Sequence, residues 1–261
     1  MAGNRSRRRK TDLSNSIGLH FRLVCRTRRT LTAPPRVHCM TDFATMRRMM
    51  VDGQVRPSDI TDPRLIDAML DIPREEFLPA GKASLAYLDQ DLPVGGPGEG
   101  IVRRLLKPMV LAKMIQALDL DEEDRVLDVG CLTGYSSAIL SRLAGSVVAL
   151  DEDTFLLSEA RTALGRVAAP NVRVVQGRLV DGYAAEAPYD AILVNGAVEI
   201  PPEALFRQLR EGGRLICIQG RGPAAKAMLY RLDLGDVGGR PIFDATAPVL
   251  PGFSLPPAFV F

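Results

Sequence analysis

The chain has 261 residues, 46% of them hydrophobic, enough for one large core or a core with a small lobe. No stretch approaches the roughly 18–20 continuous apolar residues of a membrane-spanning helix, so a cytoplasmic protein with no membrane partner is expected. The net charge of +2 hides an asymmetry. Residues 1–39 hold ten Arg or Lys against one acid; taking these from 33 basic and 31 acidic residues leaves 23 and 30, a net of −7. An acidic body is a poor match for nucleic acid, and any such contact would have to lie in the leader.

Both histidines, His20 and His38, precede Met40. This excludes Ser-His-Asp and Cys-His catalysis from the body and most zinc sites with them, so no metal is expected. Cys25, Cys39, Cys131 and Cys217 show no CxxC spacing and read as reduced thiols, the last two as packing residues. Residues 1–39 are Arg-rich, end near a TAPP segment and contain no apolar signal-peptide stretch. Such a segment buries too little apolar surface to offset its ordering entropy. Three readings stay open for it: a start placed upstream of a working Met40, a basic tail for anionic surfaces, or a transit-like presequence.

The remaining elements follow in chain order. Residues 42–54 show helical spacing at Phe43, Met46 and Met50. Asp62 is placed to cap a short helix that Pro63 opens and Leu70 ends. Residues 72–79 are a connector, and 93–100 (PVGGPGEG) a loop. Pro108 starts a helix with Val110, Leu111, Met114, Ile115 and Leu118 on its apolar face. From Arg125 the rhythm changes to strands at 125–129, 146–150, 172–176, 191–194 and 214–219, with helices at 135–143, 154–165 and 202–210. Strands that are apolar on both faces and alternate with helices predict an α/β fold, a doubly wound, mostly parallel sheet behind an N-terminal helical extension. Residues 228–232 and 259–261 are candidate late strands.

The sharpest local signal is Val126-Leu127-Asp128-Val129-Gly130-Cys131-Leu132-Thr133-Gly134-Tyr135, joining a strand to a helix. Ligands of doubly wound sheets bind outside the carboxyl ends of the strands, and glycines there admit close backbone approach. Asp151 ends the next strand 21 residues after Gly130, where an acid can accept hydrogen bonds from ribose hydroxyls. A nicotinamide G-x-G-x-x-G started at Gly130 meets Leu132 and Tyr135 instead of its next two glycines. An acid followed by G-x-G-x-G, the S-adenosylmethionine pattern, is met by Asp128, Gly130 and Gly134 and missed at Leu132. That cofactor carries no phosphate, which suits a loop without a neighbouring Lys or Arg.

Longer blocks resemble the protein-L-isoaspartate O-methyltransferase family. Met49-Met50-Val51, Gln54, Asp62-Pro63 and Ala68-Met69 are similar to its opening helices. Residues 72–79 (IPREEFLP) resemble its VPRE-x-F-VP segment, and Ala86-Tyr87, Asp89 and Leu92-Pro93-Val94-Gly95 its A-Y-x-D-x-x-L-P-I-G stretch. Residues 171–177, 187–194 and 209–215 follow its later pattern, so the likeness runs from about 45 to 220. The resemblance implies a Rossmann-like methyltransferase fold divided into a leader (1–39), an N-terminal helical and loop extension (40–107) and an S-adenosylmethionine-binding α/β domain (108–261). It also implies methyl transfer to a carboxylate of isoaspartyl residues in a protein or peptide substrate; a monomer is expected.

Three positions depart from the family. Its Gly-Gln-Thr-Ile-Ser block is replaced by residues 96–108, which contain no hydroxyl residue. Leu132 stands for a loop glycine, and Arg178 for an acid that faces the adenine amino group. The cofactor-binding set implied is Asp128, Gly130, Leu132, Gly134, Asp151, Glu152, Arg178 and Asn195. Arg103, Arg104 and Lys107 are candidate anchors for the substrate carboxylate, because a guanidinium presents a bidentate fork. The missing block keeps two alternatives in view: a methyltransferase acting on another substrate, and a non-catalytic binding protein.

Overall fold

The structure, a computed structural model, describes residues 42–95 and 103–256. The leader, most of the replaced block and the candidate strand at 259–261 lie outside these residues. The chain enters through α1 (Phe43–Met50), whose N-terminal amides are met by the Asp42 carboxylate, and continues into α2 (Pro63–Asp71), capped by Asp62 with Pro63 in its first turn. The connector then folds a short 3₁₀ turn at Arg74–Phe77. A two-stranded antiparallel ribbon follows, β1 (Leu92–Val94) against β2 (Arg103–Leu105). The periodicity did not predict it, since three-residue strands flanking a Gly-rich loop carry almost no alternation. Helix α3 (Pro108–Ala117) leads into the main sheet.

That sheet has seven strands: β3 (Arg125–Val129), β4 (Ser146–Asp151), β5 (Val172–Gln176), β6 (Tyr189–Val198), β7 (Leu209–Gln219), β8 (Lys226–Asp233) and β9 (Asp236–Asp244). Their spatial order is β5-β4-β3-β6-β7-β8-β9. The first five are parallel and the last two antiparallel, which establishes the mostly parallel α/β architecture. β3, β4 and β6 are buried nearly end to end, as the unbroken apolar runs require of strands covered on both faces. Helices α4 (Tyr135–Leu140), α5 (Thr154–Arg166) and the short α6 (Glu203–Phe206) make the connections. The order reverses between β3 and β6, and the crevice between their carboxyl ends is where sheets of this topology bind ligands.

Two elements differ from the sequence pattern. The helix expected over 202–210 stops at Phe206, because Leu209 pairs with Tyr189 and already belongs to β7. The register then shifts through a bulge holding Gly212 and Gly213, where Gly212 has φ +76°. A Cβ on Gly213 would lie 2.8 Å from the Arg210 carbonyl oxygen. β9 was not predicted, because it is Gly-rich and mostly exposed. It is built by a two-residue turn in which Leu234 (φ +51°) and Gly235 (φ +83°) both take left-handed backbone, the twist that closes tight hairpins.

The extension is clamped to the sheet by polar side chains. Arg74 is buried, donates to the carbonyls of Ala86 (2.8 Å) and Leu106 (2.7 Å), and stacks 4.7 Å from the Tyr135 ring. The Thr133 hydroxyl donates to the Phe77 carbonyl at 2.6 Å. Both contacts fix the β2 end of the extension over the loop after β3.

Gly213→Ala is expected to lower unfolding free energy by about 1–3 kcal/mol, since backbone on two sides of the bulge must give way. Gly165→Ala, in α5 with open space around it, is expected to raise it by about 0.5–1 kcal/mol. Urea titration of both variants checks the pair.

Candidate active site

The site begins where β3 ends. Gly130 and Cys131 donate to the Leu150 carbonyl at 2.8 and 3.1 Å, so the chain turns sharply against β4. Gly130 (φ +80°) and Gly134 (φ +92°) hold the left-handed angles that this turn needs. Gly134 also lets α5 pack closely, since a Cβ there would sit 3.2 Å from Leu164. Leu132, which stands for a glycine of the family pattern, also takes a left-handed conformation, at φ +56°. Its side chain is 1% exposed and joins the larger apolar cluster, burial that offsets a backbone strain of about 1 kcal/mol.

Asp128 is wholly buried on β3. Its Oδ2 accepts from the hydroxyls of Ser136 and Ser137, each at 2.6 Å, while Oδ1 has no partner. Asn195, buried on β6, donates through Nδ2 to Ser136 Oγ at 2.7 Å and likewise leaves Oδ1 unpartnered. The crevice therefore presents two buried acceptors without donors, one on each central strand. Burial pushes the Asp128 carboxyl up to about 6; the two serine hydrogen bonds oppose this and the Asp151 charge adds to it. Asn195 and Gly196 sit where β6 carries extra residues between Leu193 and Ala197 relative to β7, a bulge that turns this stretch out of the regular ladder.

Asp151 ends β4 with no solvent exposure. Its Oδ1 accepts the backbone N–H groups of Glu152 (2.9 Å) and Asp153 (3.2 Å), and its Oδ2 that of Leu132 (3.0 Å). Arg103 on β2 completes the shell as a fork, Nη1 to Oδ1 at 3.1 Å and Nη2 to Oδ2 at 2.9 Å. Leu250, in the segment after β9, lies over the two glycines of the crevice; a Cβ would meet it at 3.4 Å on Gly130 and 2.6 Å on Gly196. That segment is pinned to β6 by Leu250 N–H to the Ala197 carbonyl (2.9 Å) and Ala197 N–H to the Pro248 carbonyl (2.9 Å).

Of the residues expected from the sequence, Asp128, Gly130, Leu132, Gly134, Asp151 and Asn195 converge on the crevice. Glu152 is adjacent and engages Asp151 through its backbone. Arg178 is exposed and pairs with Asp181 at 3.3 Å. The three basic anchors separate. Arg103 is buried against Asp151; Arg104 is exposed and reaches the Asp91 carbonyl at 3.3 Å; Lys107 precedes α3 and donates its backbone N–H to Asp91. Ser136, Ser137 and Leu250 were missed. Both serines lie on the first turn of the helix after the Gly loop, facing back toward the preceding acid, a spacing that could have signalled them. Leu250 carried no local signal.

A sheet reversing at β3 and β6, an acid–glycine turn on the first strand and a buried acid ending the next define an α/β protein of the methyltransferase class. The profile of protein-L-isoaspartate(D-aspartate) O-methyltransferase matches residues 46–233, and the chain belongs to that family. It is 36% identical over 206 residues to protein-L-isoaspartate O-methyltransferase 1 of Rhodopseudomonas palustris, covering 78% of this chain and 82% of that one. Over 177 residues it is 39% identical to the Koribacter versatilis protein-L-isoaspartate O-methyltransferase, 68% and 78% of the two chains. A solved protein-L-isoaspartate O-methyltransferase superposes with a TM-score of 0.68 at 28% identity over 80% of this chain, which spans 65% of that protein. A Plasmodium falciparum structure, described as a putative member in complex with S-adenosyl-L-homocysteine, shares the fold at a TM-score of 0.66 and 18% identity, over 80% of this chain and 97% of that one.

Asp128→Asn tests the buried acid. An acid whose folded value is about 6 against 3.8 binds more protons folded than unfolded between those pH values, so it lowers stability as pH rises through that window. The variant is expected to match the wild type near pH 4 and to exceed it by about 1–3 kcal/mol at pH 7–8, measured by urea unfolding at both pH values.

Proposed function

We propose that this chain transfers a methyl group from S-adenosylmethionine to a carboxylate of isoaspartyl residues in proteins or peptides, acting as a cytoplasmic monomer. The observation that carries the cofactor reading is the pair of unpartnered buried acceptors, Asp128 Oδ1 and Asn195 Oδ1, at the carboxyl ends of the two central strands. A buried polar atom without a partner costs about 1–3 kcal/mol, and a cationic amino group supplies the donors these oxygens lack. Asp128 and Asn195 would thus hold the amino-acid end, Gly130 and Gly134 would allow close backbone approach, and Asp151 would hold the ribose. When bound, S-adenosylmethionine supplies an electrophilic methyl group on its sulfonium.

The chemistry asks little else of the chain. A substrate carboxylate is already a nucleophile at neutral pH, so no general base is needed, consistent with a body free of histidine. Alignment of the carboxylate with the methyl is then the main contribution, worth up to about 7–11 kcal/mol in ideal cases. Arg104, exposed on the ribbon beside the crevice, is the best placed of the three basic residues to anchor that carboxylate. No helix among the described residues is long and apolar enough to cross a membrane.

Labelled methyl transfer to an isoaspartyl peptide, with its normal aspartyl counterpart as control, tests the substrate. Incorporation only into the isoaspartyl peptide is expected; cofactor binding without incorporation would point to another carboxylate. Because Asp151 also holds Arg103, the ribose role is tested in the Arg103→Gln background: there Asp151→Ala is expected to weaken adenosylhomocysteine binding by about 1–3 kcal/mol in calorimetry, and an unchanged affinity would remove Asp151 from the ribose role.

A further inference from the structure

The carboxylate assigned to the ribose is already fully engaged by the chain. Asp151 Oδ1 accepts three hydrogen bonds and Oδ2 two, and Arg103 supplies one to each. Neither oxygen has room for a hydroxyl while the guanidinium stays. The same Nη2 lies 3.3 Å from where a Cβ of Gly130 would stand, so Arg103 occupies the space that the glycine opens. Leu250 fills the space beside it, over Gly130 and Gly196. The small cavity that Arg103, Asn195, Gly196 and Leu250 help to line measures about 10 Å³. That is room for about one water, whereas ligand pockets run to several hundred Å³.

The pair is not required to satisfy Asp151. Three backbone N–H groups remain on the carboxylate without Arg103, enough to hold a charged carboxylate in a buried turn. A buried ion pair also adds little net stability over its desolvation cost. A planar fork matched to both carboxylate oxygens has, however, the two-donor geometry that a vicinal diol would need there.

We infer that Arg103 is an internal occupant of the nucleoside site, competing with the cofactor ribose for Asp151. This rests on the reading of Asp151 as the ribose acceptor. Two guanidinium N–H bonds are exchanged for two hydroxyl bonds when cofactor enters, and Arg103 leaves the carboxylate in the same event. The intrinsic affinity is reduced by the fraction of molecules in which Arg103 has withdrawn. Arg103 thereby sets the cofactor affinity of this chain without touching the reacting atoms.

The test is calorimetric titration of the full chain with S-adenosylhomocysteine, wild type against Arg103→Gln and Arg103→Lys. Glutamine cannot form the charged fork, and its Kd is expected to be at least about tenfold tighter than that of the wild type. Lysine keeps the charge without the fork and is expected between the two, so the ordering survives if either variant folds poorly. In the wild type, the Arg103 Nε–Hε resonance is expected to shift at saturation. Equal or weaker binding by Arg103→Gln, with the wild type still binding, would overturn the competition and leave the cofactor site intact. No binding by any of the three proteins would overturn both.

Discussion

The Asp151 carboxylate is the point at which the pieces of this molecule are joined. It receives the first amides after β4, the Leu132 amide of the loop after β3, and the Arg103 fork from the N-terminal ribbon. Three segments distant in sequence are thereby fixed to one pair of oxygens. The clamps of the extension, Arg74 on two carbonyls and Thr133 on Phe77, hold the ribbon in register with that point. A carboxylate can organise so many donors because its two oxygens accept in several directions at once, and burial strengthens each bond.

Asp128 shows the opposite balance. Its burial, its raised pKa and its open oxygen all act against the ligand-free fold. A chain selected for stability alone would place an apolar residue or an amide there. A half-satisfied acid between the central strands makes sense where a donor from outside the chain completes it. Sites of this kind are where local rules are broken and the rest of the fold compensates.

Membership in the isoaspartate methyltransferase family accounts for the sheet, the loop and the opening helices. The matched region ends at residue 233, and the segment that lays Leu250 over the crevice lies beyond it. Arg103 falls within the match, in the stretch where the sequence departs most from the family pattern. The crevice thus carries two covers, Arg103 from the ribbon and Leu250 from the segment after β9. Both act by filling space above glycines whose missing side chains would otherwise leave the crevice open.

The sequence by itself determined the α/β class, the parallel core and the two acids at the ends of β3 and β4. These follow from local facts: apolar runs long enough to be buried on both faces, helical spacing between them, and glycines at a strand-to-helix turn. Leu132 was legible as a departure, but its accommodation was not, because only packing shows that a buried leucine can hold the left-handed angle. The β1–β2 ribbon, β9, and the loss of the helix after Phe206 were decided by pairing with distant strands, which local periodicity cannot register. The partnership of Arg103 with Asp151 was decided in the same way. The arginine was expected to face a substrate and instead faces the chain's own acid, 48 positions away in sequence and 2.9 Å away in space. Spacing along a chain fixes which groups are available, and only the folded arrangement fixes which of them meet.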